Sequence, residues 1–375
     1  MTSYVLWNNK GGVGKSTLAF HAACTHARLN PEGRTCVVDL SPQCDVSRMV
    51  LGGGLNDGED VILNIMKRKP RATIYGYLSD CHNTVPTQGK WPKIESYLVR
   101  AGDERSPKAK KIPDNLYLLC GDFDLERIVD FMAQTQTPPL RGGLAPSGAQ
   151  YSAALLIRSY LRKFVESITT PTTFFIDTDP YYNLATTHMG LLAADSWIAA
   201  YNPSSLASQF AVYRSIEYLY DQTHGLSRLL EVEKRNVPEE WYAANNTRIA
   251  APMLKIPPLS MVVANNAKPY STSATSTYTT ATTLHTKAME TMEYEVRERV
   301  TRFNLDPQIV FQTVWNMQRL GHICDYNGID IRAVRFGVSY TQPDDNTDYR
   351  LAGESTRKQV ESYRENLKEL VNHLP

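Results

Sequence analysis

Lys10-Gly11-Gly12-Val13-Gly14-Lys15-Ser16-Thr17 follows a short β-prone run, Tyr4 to Trp7, and opens a helix-prone one, Ser16 to Leu29. Glycines at 11, 12 and 14 free the backbone to turn its N–H groups toward a phosphate chain. The start of the helix adds the positive end of its dipole at the same point. In such a loop Lys15 reaches the β/γ-phosphates, the Ser16 hydroxyl ligates Mg2+, and Thr17 is placed against the α-phosphate. The strict pattern is G-x-x-x-x-G-K-[ST]; here Asn9 stands at its first glycine, and a second lysine, Lys10, follows.

Outward from this loop the chain alternates strand and helix. Thr35 to Leu40 (TCVVDL) reads as a second buried strand, so strand–helix–strand predicts a parallel sheet with right-handed crossovers. Further core strands are expected at Leu116–Cys120, Thr173–Ile176, Ser196–Ala200, Met261–Ala264 and Ile309–Val314. Helices are expected at Ala153–Ile168, Ser208–Tyr220, Thr286–Phe303 and Val360–Leu374. Pro138 to Gly148 reads as a loop, and the Ser/Thr-dominated stretch Ser271 to Thr286 as a polar loop. The fold class is therefore α/β: a twisted, mostly parallel sheet with helices on both faces.

The bulk numbers narrow the function classes. With 375 residues, 42% hydrophobic and 21% charged, the chain is an ordinary globular one. A formal net charge of +1 means that binding to nucleic acid or membrane has to come from a local patch. No apolar run spans a membrane, and the strand at the N-terminus leaves no room for a signal peptide. None of the six cysteines forms a C-x-x-C pair, so reduced thiols and a cytoplasmic location are expected.

The loop K-G-G-V-G-K-[ST]-T resembles that of the ParA/MinD family of deviant Walker A P-loop ATPases almost letter for letter. Two more segments carry the resemblance. Val37-Val38-Asp39-Leu40-Ser41-Pro42-Gln43 is similar to the family's switch I, V-D-x-D-P-Q, with Ser41 at the second Asp. Phe174-Phe175-Ile176-Asp177-Thr178-Asp179-Pro180 resembles its Walker B and switch II, with Asp179 where a second Pro is frequent. The stretch from Asn183-Leu184-Ala185 to Asp195 resembles the family's segment downstream of switch II. Ser260 to Asn265 resembles the strand whose terminal Asn holds the adenine edge, with Asn266 as the alternate.

The resemblance implies a P-loop NTPase fold and Mg2+-dependent ATP hydrolysis. It implies Lys10, Lys15 and Asp39 as catalytic residues, Lys10 reaching across an ATP-dependent homodimer to the partner's phosphates. ATP would be held by Gly11, Gly12, Val13, Gly14, Lys15, Ser16, Thr17 and Asn265, and Mg2+ by Ser16, Asp39 and Asp177. No N-K-x-D guanine reader is present, which favours adenine. A single ParA-like domain over 1–375 is expected, with insertions at 52–115 and 222–258. The implied cycle is a dimer that binds DNA or cargo and is released on hydrolysis by a ParB-like activating protein.

Two alternatives stay open: a MinD-like membrane-surface positioning ATPase, and a regulatory or defence ATPase with a dedicated protein partner. A tyrosine kinase with this loop would carry a tyrosine cluster at its tail, a nitrogenase-type reductase a cysteine soon after Asp177, and an arsenite-pump ATPase a second phosphate loop; the chain has none of these. Candidate DNA contacts are Lys67, Arg68, Lys69 and Arg71, then Arg105, Lys108, Lys110 and Lys111, and Arg319. The last helix mixes Glu361, Glu365 and Glu369 with Arg364 and Lys368, which favours core packing over membrane docking.

Overall fold

The computed structural model describes residues 1–88, 90–109, 112–127, 148–180, 186–237, 254–267, 276–315, 317, 319–343 and 347–375. In chain order the strands are β1 (Thr2–Leu6), β2 (Arg34–Asp39), β3 (Val99–Arg100), β4 (Leu116–Leu119), β5 (Thr172–Asp177), β6 (Ser196–Tyr201), β7 (Leu259–Ala267), β8 (Val310–Trp315), β9 (Ser339–Thr341) and β10 (Asp348–Arg350). The α-helices are α1 (Lys15–Leu29), α2 (Asp45–Leu51), α3 (Gly58–Met66), α4 (Ile74–Gln88), α5 (Ala101–Glu104), α6 (Gly148–Ser167), α7 (Thr186–Ala193), α8 (Leu206–Tyr220), α9 (Leu226–Arg235), α10 (Ser276–Arg302), α11 (Arg319–Asn327) and α12 (Glu354–Asn372).

Among the described residues the main sheet has eight strands in the order β3-β4-β2-β5-β1-β6-β7-β8. Every pairing is parallel except that of the short edge strand β3 with β4. The central strands read as near-continuous apolar runs because both faces are covered. Alternate residues go to opposite layers: Val5, Cys36, Val38, Phe174 and Ile176 enter one core, while Tyr4, Leu6, Val37 and Phe175 enter the other. The chain leaves β1 through α1 and returns as β2, two places away, with β5 later filling the gap. The carboxyl ends of β1, β2 and β5 therefore converge at one edge, the usual position of a binding crevice in such sheets.

The stretch expected as an insertion, 52–115, is built into the main body. It contributes α3, α4, β3 and α5, and its Ile62, Ile65, Ile74, Tyr77 and Leu78 lie in the two cores. It also docks on the end of α11: Leu55 N donates to the Tyr326 carbonyl at 2.9 Å, and Arg105 Nη2 to the Gly328 carbonyl at 2.6 Å. Of the second expected insertion, 222–258, α9 packs with α6 and α8, while 238–253 lie outside the described residues.

Most expected elements are present with ends moved by a few residues. One is corrected. The polar loop expected from Ser271 to Thr286 is helical from Ser276 onward, as the first turns of α10. Threonine is a weak helix former, but extending an existing helix adds a hydrogen bond for each residue fixed, so the preceding turns join at little cost. Residues 271–275 of that stretch, and the loop expected at Pro138 to Gly148 up to 147, lie outside the described residues. In α12, Val360, Tyr363, Leu367, Leu370 and Val371 are buried, and the helix packs on α1 and β8. Its apolar stripe is thus part of the core, as expected. No helix among the described residues is long and apolar enough to cross a membrane.

Candidate active site

The loop after β1 takes the shape its glycines allow. Gly12 and Gly14 sit at φ +72° and +77°, a left-handed region that a side chain would strain. Gly14 caps α1 without a side-chain hydrogen bond, and no acidic residue occupies the helix's first turn. No capping side chain among the described residues competes for the amides at this N-terminus, an arrangement suited to an anion. Hydrogen bonds from neighbouring elements hold the loop from below. Asn8 Nδ2 donates to the Ala200 carbonyl at 2.7 Å, Asn9 N to Ser215 Oγ at 3.4 Å, and Asn265 Nδ2 to the Val13 carbonyl at 2.7 Å.

The loop forms one wall of a cleft of about 620 Å³. Gly11, Gly12, Gly14, Lys15, Ser16 and Thr17 line it, with Ser41 and Gln43 after β2 and Thr178, Asp179 and Pro180 after β5. Lys15 is buried and folds back so that Nζ donates to the Lys10 carbonyl at 3.1 Å. Burial pulls its ammonium down, while Asp177 and Asp179 pull it back up. The Lys10 side chain is exposed beside the cleft.

Asp39 and Asp177 end neighbouring strands in direct register and are both fully buried. Asp39 accepts the backbone N–H of Ser41 and of Ser47, each at 3.0 Å, and so fixes the turn that leads into α2. Burial pushes its carboxyl up to about 6, and the Ser47 and Ser41 hydrogen bonds hold that rise back. Asp177 is pushed up to about 7, first by burial and then by Asp39, with Ser16 and Lys15 pulling down. Neither carboxylate oxygen of Asp177 makes a well-formed hydrogen bond within the described residues. A buried carboxylate left in this state is costly unless a cation or proton joins it.

These residues fit Mg2+. A magnesium ion in a phosphate-loop site needs only one or two protein oxygens, the rest coming from water and phosphate. The buried Asp177 carboxylate and the Ser16 hydroxyl beside it are donors of that kind. Each oxygen of Asp39 accepts one backbone N–H, of Ser41 and of Ser47, which ties it to the turn before α2.

Asn265, expected at the adenine edge, is buried with its amide against the loop carbonyls of Val13 and Gly14. The side chain of its alternate, Asn266, lies outside the described residues, as do Asn183, Leu184 and Ala185.

The far wall of the cleft was not anticipated from the sequence. It comprises Asp45, Arg48, Met49 and Gly54 from the α2 region and His322, Asp325, Tyr326 and Pro343 from α11 and beyond. Asp45 and Arg48 pair at 2.9 Å. Asp325 accepts the Thr17 hydroxyl at 3.1 Å, and burial pushes its carboxyl up to about 7. None of these residues stood within a recognisable motif. The α11 residues lie some 300 positions along the chain from the loop, and nothing in their local pattern marks them.

The basic clusters are also altered. Arg71 pairs with Asp122 and Asp124 and stacks on Tyr75, Arg68 pairs with Glu104, and Arg105 is directed at the carbonyls of Val50 and Gly328. Arg71 and Arg105 are thereby engaged within the fold, while Lys67, Arg68, Lys69 and Lys108 stay exposed, Arg68 in a surface ion pair. Lys110, Lys111 and the side chain of Arg319 lie outside the described residues.

Residues 4–325 match the family model described as the CobQ/CobB/MinD/ParA nucleotide binding domain. No curated protein matches the chain. Among solved structures, an ATP complex of a McdA variant from Cyanothece is similar at 11% identity, covering 100% of this chain and 96% of that one, with a TM-score of 0.51. The pNOB8 ParA structure is similar at 12% identity over 99% and 96% of the two chains, TM-score 0.53. Protein DIP2308 of Corynebacterium diphtheriae is similar at 15% identity over 84% and 91%, TM-score 0.54. At these identities the likeness is one of fold.

Proposed function

Because the chain belongs to the CobQ/CobB/MinD/ParA nucleotide-binding family, we propose that it is a ParA-like ATPase whose ATP-bound dimer positions DNA or another cargo. The observation that carries this reading is the cleft itself. A glycine loop at a helix N-terminus carries a buried lysine, and behind them stands the buried Asp177 carboxylate beside Ser16. Little else is needed for phosphoryl transfer, where the protein contributes positioning and charge neutralisation rather than covalent chemistry.

In this reading the amides of residues 11–17 cradle the phosphates and Lys15 swings from the Lys10 carbonyl to the β/γ-phosphates. Ser16 and Asp177 hold Mg2+, which neutralises charge that develops on the phosphate oxygens. Asp39 keeps the Ser41–Ser47 turn in place, and Asn265 braces the loop while offering what remains of its amide to adenine. Lys10, exposed at the cleft's rim, crosses to the phosphates of a second copy. A dimer closed in this way doubles any weak surface contact, and avidity turns it into useful retention. A ParB-like activator would then release it by speeding hydrolysis.

Light scattering after gel filtration tests the dimer. Dimers with ATP and monomers with ADP support the reading, whereas one unchanging mass in both overturns the switch. Retention on duplex DNA at low and moderate salt tests the cargo. Binding that needs ATP and falls steeply with salt supports DNA. Its absence moves the assignment to a protein partner, a reading favoured by the engagement of Arg71 and Arg105 within the fold. Burial of the apolar stripe of α12 argues against the MinD-like membrane alternative, and liposome flotation that depends on α12 would restore it.

A further inference from the structure

Most carboxylates around the cleft are already engaged. Asp39 holds two backbone amides, Asp45 pairs with Arg48, and Asp325 takes the Thr17 hydroxyl. Asp177 faces Ser16 and Lys15 at the floor, where a metal would sit. Asp179, after β5, is half-buried and lines the cleft, and among the described residues its Oδ1 accepts the Ser41 hydroxyl at 3.2 Å. Ser41 is itself oriented, since its Oγ accepts the Gln43 N–H at 3.2 Å.

The position of Asp179 is informative. Its charge acts on the Lys15 ammonium, the group directed at the β/γ-phosphates. The next residue, Pro180, lies over the glycine loop, its Cγ 3.8 Å from where a Cβ on Gly11 would stand. Asp179 therefore overlooks the end of the loop that a terminal phosphate would occupy. Ser41, across from it, stands where the V-D-x-D-P-Q pattern places a carboxylate.

We infer that Asp179 is a catalytic carboxylate that orients the attacking water, taking over from switch II a charge that position 41 lacks. The inference rests on the ATPase reading above. In the step, the water oxygen bonds to the γ-phosphorus as the bond to the β–γ bridging oxygen breaks, and that electron pair leaves with ADP. One water proton ends on the released phosphate and the other in solvent. Asp179 accepts a hydrogen bond from the water and undergoes no net change. Ser41 fixes the Asp179 rotamer, so the carboxylate is held before the substrate arrives.

The test uses the full chain with D179N, S41D/D179N and K15A. Asn at 179 keeps an oxygen for the Ser41 hydroxyl, so a purely structural tie between the two switches survives in D179N. Two quantities are read: affinity for a fluorescent ATP analogue, and single-turnover hydrolysis. D179N is expected to bind the analogue like wild type and to hydrolyse about 100-fold more slowly, the usual scale for a lost general-base or orienting group. S41D/D179N is expected to recover most of that loss. Wild-type turnover in D179N overturns the inference, as does a double variant no faster than D179N. Loss of analogue binding in D179N also overturns it, because the residue would then serve folding or binding. If wild type shows neither hydrolysis nor binding that K15A abolishes, the ATPase reading itself fails.

Discussion

Gly53→Ala should unseat the far wall of the cleft. Gly53 lies at φ +73°, where an alanine costs about 1–2 kcal/mol. The added Cβ would stand 2.3 Å from the Tyr326 carbonyl oxygen, 2.4 Å from Gly328 N and 2.5 Å from the Asp325 carbonyl oxygen. All three are backbone atoms, so no side chain can rotate away and the two segments have to separate. Their contact carries the bonds from Leu55 N to Tyr326, from Asn56 Nδ2 to Asn327 and from Arg105 Nη2 to Gly328. Losing two or three of these adds about 2–3 kcal/mol at roughly 1 kcal/mol each. The entropy gained by replacing glycine returns at most about 1 kcal/mol. The net expectation is a loss of about 3–4 kcal/mol, read by urea unfolding. Asp325 and Tyr326 line the cleft, so nucleotide affinity should weaken in the same variant. The control is Gly102→Ala in α5, where the new Cβ meets nothing within 4 Å and the variant should be as stable as wild type or more so. A Gly53→Ala protein within about 1 kcal/mol of wild type would refute the backbone-contact argument, since the αL strain alone accounts for that much.

Lys15→Ala should abolish ATP binding, because the loop loses its buried cation; calorimetry that finds affinity within a few-fold of wild type would reject the site. Lys10→Ala should keep nucleotide binding in the monomer yet lose the ATP-dependent dimer, and a wild-type-like dimer by light scattering would rule out the shared site. Asp177→Asn bears on pH. The carboxyl titrates at about 7 in the folded chain against 3.8 ordinarily, so the folded state binds more protons across that window and wild-type stability falls as pH rises through it. Between pH 5 and pH 8, without Mg2+, that fall is roughly 2–3 kcal/mol at about 1.4 kcal/mol per tenfold change. The variant should lose this share of the fall while Asp39 and Asp325, also raised, keep theirs, and an unchanged pH slope in denaturant titrations would show that Asp177 does not contribute.

Much of this protein was legible in its sequence because the relevant physics is local. A glycine loop between an apolar strand and a helix has few structures open to it, so Lys10 to Thr17 declared both a turn wrapped on a helix N-terminus and a parallel sheet. Asp39 and Asp177 each terminate an apolar run, and a strand that buries both faces delivers its last polar residue to the carboxyl edge. The stripe from Val360 to Val371 marked a packed helix for the same reason of periodicity. What the sequence could not supply was the pairing of distant segments. That Asp39 lies in register with Asp177 is a consequence of β5 slotting between β1 and β2, a long-range choice set by crossover connections. That Arg71 and Arg105 are engaged within the fold depends on which carboxylates and carbonyls it places beside them. Asp325 meets Thr17 across 308 positions of chain, and Ser41 meets Asp179 across 138. Contacts of that span leave no periodic trace in either segment, so only the folded chain determines which groups share the cleft.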